Sequence, residues 1–171
     1  DMTRNIGTFT AAGVGLKDSV AAIKGLSNLA AASGSSATQA STAMYQLSQA
    51  LATGTVKLMD WNSVVNAGMG GEQFQQALER TARVHGVAVD AMIQKDGSFR
   101  ESLQEGWLTS EIMLETLNQM TGDLSAEQLK QMGYTDEQIK EIQEFAASAS
   151  DAATKYKTFT QVMGAPKEAV G

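Results

Sequence analysis

No cysteine occurs among the 171 residues, which excludes a disulfide scaffold and a thiolate metal site together and is compatible with a reducing compartment. A single histidine, His85, removes most metal sites and every triad that uses a second histidine. The one proline, Pro166, lies close to the C-terminal end, so long stretches can be helical without interruption. Aromatics reach only 6%, leaving Ala, Leu, Val, Ile and nine Met to fill a core with few large anchors. No apolar run approaches the roughly 18 residues that span a bilayer. The opening Asp1-Met2-Thr3-Arg4-Asn5 has no apolar signal core after it, so secretion is not indicated, and a chain that begins with Asp reads as a piece of something longer. There is no basic cluster: the formal charge is −6, and residues 87–151 hold 13 acids against 4 bases. Such a surface repels phosphate backbones and argues against nucleic acid as a partner.

What is present is helical periodicity punctuated by glycine. Residues 1–13 lack a clear period and, ending in Ala11-Ala12-Gly13, read as an extended or frayed lead-in. Leu16, Val20, Ile23, Leu26 or Ala30, and Leu29 recur at the spacing of one helix face, with Gly25 placed for close helix packing. Ser33-Gly34-Ser35-Ser36 ends that helix and caps a second over about 37–53, whose face is Ala40, Met44, Leu47 and Leu51 and whose stop is Gly54. Alanine-rich faces predict that these two helices form an antiparallel hairpin. After a linker over 55–60, Asp60 is placed to cap a brief helix holding Trp61, Val64 and Val65, before glycines 68, 70 and 71.

A stripe of Phe74, Ala77, Leu78, Thr81 and Ala82 marks a helix over about 72–85, and a short one follows from Val87 to Asp96-Gly97. Ser98 with Glu101, Ser125 with Gln128 and Thr135 with Gln138 have capping-box spacing. Ile112, Met113, Thr116, Leu117 and Met120 form another stripe closed by Gly122. A short helix over Leu124–Met132 ends at Gly133, and the last helix starts at Thr135 with Ile139, Ile142, Phe145 or Ala146, and Ala149 on one face. Continued through Tyr156 and Phe159 to Met163 before Gly164-Ala165-Pro166, its later half is expected to project from the body or to pack on a neighbouring copy. The corner between the last two helices has a helix-turn-helix outline, but Asp136, Glu137, Glu141 and Glu144 occupy the would-be reading helix and favour a plain packed corner.

Chemistry-bearing groups are sparse. His85, at a helix end, is expected to meet terminal carbonyls. Asp90 and Asp96 do not match a calcium loop. Glu101 with Glu105, and Glu111 with Glu115, each share a helix face, as a glycosidase pair would, but read as solvated surface. Gly68-Met69-Gly70-Gly71 lacks the Lys-Ser/Thr of a phosphate loop. Trp61 and Trp107, the largest side chains, each flank a glycine-marked junction, either as core plugs where short helices meet or as partner-binding anchors, and are the candidate interface residues. No catalytic, cofactor or metal residues are assigned.

The ordered series QLSQALATG at 46–54, WNSVVNAG at 61–68, VHGVAV at 84–89 and GSFRESLQEGWLTSE at 97–111 resembles the conserved N-terminal domain of tail tape measure proteins of long-tailed bacteriophages and prophages. The resemblance covers roughly residues 15–120. It implies a non-enzymatic role in which a long chain sets tail length, nucleates the tube with tail-tube subunits and assembly chaperones, and leaves the tail during DNA delivery. It places the protein in the virion tail, and in the host cytoplasm during assembly, with self-association possible. The expected architecture is all-α, a multi-helix bundle of short helices with a longer C-terminal helix: lead-in 1–15, helical domain 16–122 and extension 123–171. A tail-associated peptidoglycan hydrolase domain and a helical adaptor of an unrelated protein are the alternatives.

Overall fold

The computed structural model describes residues 7, 9–11 and 13–154 with their side chains, and the helical backbone of 155–170. The fold is all-α. The helices are α1 (Leu16–Ser33), α2 (Ala37–Thr53), α3 (Leu58–Asn66), α4 (Glu72–Val84), α5 (Val89–Asp96), α6 (Phe99–Ser102), α7 (Ser110–Gln119), α8 (Ala126–Gln131) and the long α9 (Asp136–Val170), with a 3-10 turn at Leu103–Glu105.

Helix boundaries follow local chemistry. Complete capping boxes start α2 (Ser36 with Gln39), α8 (Ser125 with Gln128) and α9 (Thr135 with Gln138), each joining two backbone N–H groups to side-chain oxygens. At α6 only half the box forms: Ser98 accepts from Glu101 N–H, while the Glu101 carboxylate turns to Arg100 Nη1 at 3.2 Å. Gly54 ends α2 at φ +93°, a left-handed conformation that glycine adopts without steric cost. Asp60 is not the cap of α3; that helix already begins at Leu58, and Asp60 reaches back to accept from Lys57 N–H at 2.9 Å.

The buried stripes of α4 and α7 are those the spacing predicts. Other expectations change. Part of the lead-in belongs to the body: residues 7 and 9–11 are helical, and Phe9 lies fully buried in the main core, since a large aromatic is buried wherever the chain can carry it inward. On α1, Ile23, Leu26 and Leu29 are buried, but Leu16 is 65% exposed and Val20 36%. That helix packs most extensively on α9 and α7, with a smaller contact on α2, so a simple α1–α2 hairpin is not the main association. Gly25 permits the α7 contact: an added Cβ there would lie 1.9 Å from the Leu117 carbonyl oxygen, so the α1 and α7 backbones nearly touch. The backbone of α9 runs on through Gly164-Ala165-Pro166, where the sequence predicts a stop. The expected contacts of Tyr156, Phe159 and Met163 lie outside the described side chains.

The stretch between Gly54 and Ser110 is closed where its two ends meet. Thr55 and Thr109 form an isolated antiparallel bridge, flanked by Val56 N–H to Leu108 O at 2.8 Å and Ser110 N–H to Gly54 O at 3.0 Å, while the Ser110 hydroxyl donates to Leu51 O at 2.9 Å. The Gly54 and Trp107 junctions, distant in sequence, therefore meet.

Candidate functional site

The two tryptophans face inward. Trp61 is 1% exposed and Trp107 4%, at the two ends of an aromatic chain from Trp61 through Phe99 to Trp107, with centroids 4.9 and 5.6 Å apart. Phe74 stacks on Trp61 at 5.8 Å. The Trp107 indole N–H donates to Ser102 Oγ at 3.0 Å, so the polar edge of the ring is satisfied inside the protein. In this fold both rings plug the junction of α3, α4 and α6, and neither presents a surface to a partner.

His85 caps the end of α4, but its ring does not turn to the carbonyls of that helix. Nε2 lies 3.0 Å from Glu115 Oε1, and Nδ1 lies 3.9 Å from Glu111 Oε1. The i,i+4 pair on α7 thus straddles the imidazole, because carboxylates offer a charge-assisted contact stronger than a partly exposed carbonyl. Glu115 is also engaged from behind: Tyr134 O–H donates to its Oε2 at 2.9 Å, while Gln119 Nε2 donates to the same phenol oxygen at 2.6 Å. Thr81 Oγ1, which donates to Ala77 O, accepts from Gln119 Nε2 at 3.3 Å and lies 2.8 Å from Thr116 Oγ1. Burial, followed by the nearby Glu115 charge, drives the Tyr134 phenol well above the ordinary tyrosine range, against the opposing bonds from Thr81 and Gln119.

This network joins α4, α7 and the α8–α9 corner. Both ring nitrogens of His85 face carboxylates, and the Thr81 and Thr116 hydroxyls are held against carbonyls one helical turn back, so the arrangement clamps helices to one another. The other acid pairs are dispersed as well: Glu101 meets Arg100, and Glu105 lies 3.7 Å from Lys95. Asp90 is gripped by Arg83 through two contacts of 2.8 and 2.7 Å, and that bond holds its carboxyl below the usual range, while Asp96 is elsewhere, with Oδ2 buried and unpartnered. Among the described residues, no group of three or more His, Asp or Glu side chains is placed to hold a metal.

Two clefts flank the clamp. One of about 310 Å³ lies between α4 and α9, lined by Gln73, Gln76, Arg80, Glu141, Glu144 and Phe145 among others. The second, about 360 Å³, runs from Lys24 on α1 past Gln119 and Asp123 to Ile142 and Ser150. The first has Glu141 and Glu144 on its α9 side, with Glu141 held by Arg80 at 3.0 Å, and the second has Asp123, paired with Lys24 at 2.8 Å. Among the described residues, no helix is long and apolar enough to cross a membrane.

Sequence reasoning did not find Tyr134, Gln119 or Thr116 as members of one network. Thr81 and Thr116 already sit on the predicted buried stripes, and a threonine repeated on such a stripe is the one available signal that buried hydroxyls meet. No curated protein and no solved structure matches the chain. A family model described as "Tape measure protein" matches residues 1–152. That span takes in α1 through α8 and the part of α9 that packs on them. The match covers most of the chain, and the chain belongs to the tape measure protein family.

Proposed function

We propose that this helical domain acts in phage tail assembly and tail-length determination by protein–protein contacts, with tail-tube subunits and tail-assembly chaperones as its partners. The observation that carries the reading is the family match over residues 1–152, because it spans the packed body and is not confined to a single amphipathic helix. The family is a structural one of the phage tail, and a location in the virion tail follows from that membership. Assembly in the host cytoplasm is part of the proposal.

The physical chemistry supports it. The polar groups of the body are used to hold helices to one another, and the charge of −6 suits a domain recognised by protein surfaces better than by nucleic acid. The buried Trp61 and Trp107 serve as struts that keep the body rigid, leaving contact to exposed side chains such as Met59, which is 80% accessible.

The test is an in-frame deletion of codons 16–152 in the phage or prophage that carries the gene. Lysates inspected by electron microscopy should contain no complete tails, or tails of altered length, with tube subunits left unassembled. Tails of normal number and length would overturn the proposal, as would lysis of purified cell walls by the domain alone that is lost on changing one glutamate pair.

A further inference from the structure

The buried side chains fall into two clusters. The main core runs from Phe9 to Leu117, and a smaller one contains Leu129, Tyr134, Ile139 and Ile142 with Leu124 and Met132 against it. Between them lies a polar seam. It is crossed by Tyr134 to Glu115 and Gln119, by Arg80 Nη2 to Glu141 Oε2 at 3.0 Å, and by Lys24 Nζ to Asp123 Oδ2 at 2.8 Å. α9 approaches α1 closely along the seam, but the side chains it buries there are small. Val84 of α4 reaches the small cluster and Phe145 of α9 the main one, and beyond Ile142 the buried residues of α9 are Ala146 and Ala149, whose side chains are single methyl groups.

Among the described residues, three buried side-chain atoms have no hydrogen-bond partner in the protein, and two of them, Arg80 Nη1 and Gln119 Oε1, belong to residues of this seam. Each lacks a protein partner while the two parts are docked and is opened to solvent when they separate. A contact built mostly from ion pairs that are partly exposed, from methyl groups and from two unpartnered polar atoms is weaker than the Leu-, Phe- and Trp-filled core beneath it. We propose that residues 123–154 form a cap that undocks from the body as one cooperative unit while residues 16–122 stay folded, uncovering the α1 and α4 faces that α9 otherwise covers. Gly122, at φ +78°, marks the boundary between the two parts.

The test is native-state hydrogen exchange on the 171-residue chain in rising urea. Amides of α8 and of α9 as far as Ala149 should share one isotherm lying below that of α4 and α7, exchanging about tenfold faster or more in the absence of urea. Leu47→Ala, in the main core, should speed exchange of the body amides and leave the cap rates unchanged. Tyr134→Phe should speed the cap about tenfold, the effect of removing one bond to a charged partner. Cap amides that merge with the global isotherm overturn the proposal, as do cap rates that rise with Leu47→Ala as much as the body does, or that do not respond to Tyr134→Phe. If Leu47→Ala does not fold, the wild-type isotherms alone decide.

Discussion

Tyr134 shows at the scale of one residue how burial and a neighbouring charge act together. Its folded pKa is raised above the ordinary value of about 10, so the stability it contributes is fully present below that pH and is lost as pH rises through the folded value. An alkaline titration followed by phenolate absorbance should show one tyrosine ionising late, together with unfolding, and Tyr134→Phe should remove that late step. A phenol that titrates normally in the folded protein would contradict the buried bond to Glu115. Asp90 has the opposite sign: the Arg83 bond lowers its pKa, so its contribution is present above the unfolded value and disappears as pH falls through the folded one. Asp90→Asn should therefore lower the thermal midpoint at neutral pH and converge with wild type in strong acid. Nearby Glu79, raised chiefly by burial, works against this trend, since its contribution is lost as pH rises. For the tryptophans, acrylamide quenching should be weak in the folded chain and rise sharply on unfolding, as rings 1% and 4% exposed require. The pairings of His85 and Tyr134 are not written in the sequence around them, because their shared partner Glu115 lies 30 and 19 positions away.

Elements were more legible than their partners. The starts of α2, α8 and α9 and the stop of α2 could be read because capping side chains and glycine stops act within a few residues of the end they fix, whereas α9 runs on past the predicted stop at Gly164. The stripes of α4 and α7 could be read for a similar reason, since an apolar face is a property of one helix alone. Which faces meet was not legible. Leu16 belongs to the apolar face of α1 by spacing yet points mostly to solvent, and α1 seeks α7 and α9 more than its neighbour α2. Gly25 carried a correct hint of close approach without naming its target. Gly25→Ala should gain about 1 kcal/mol of helix propensity and lose more to overlap with the Leu117 carbonyl. The net destabilisation should be roughly 1–3 kcal/mol, because that oxygen is backbone and cannot rotate aside. Urea unfolding would measure it, and a neutral or stabilising result would mean that the two helices are farther apart than described.

At the scale of the whole molecule, sequence disclosed the class of fold and the kinship, while the candidate site reduced to a clamp that only the packed chain assembles. The Thr55–Thr109 bridge bears on how that packing is reached. It ties a ring of about fifty residues, whose closure costs roughly 3.5 kcal/mol of chain entropy before the contacts inside can repay it. Helices α3 to α6 can flicker locally, but they gain a fixed setting for the aromatic chain only once the ring is shut. Ser110→Ala, which removes one strut of the closure worth about 1 kcal/mol, should thus slow refolding in stopped-flow mixing about fivefold and leave the unfolding arm almost unchanged. The reverse pattern would place ring closure after the rate-limiting barrier. If closure comes first, the bridge is the gate through which the nascent chain commits to its topology, and lengthening or shortening the ring should alter the speed of that commitment and the final stability together, while the unfolding rate stays nearly constant.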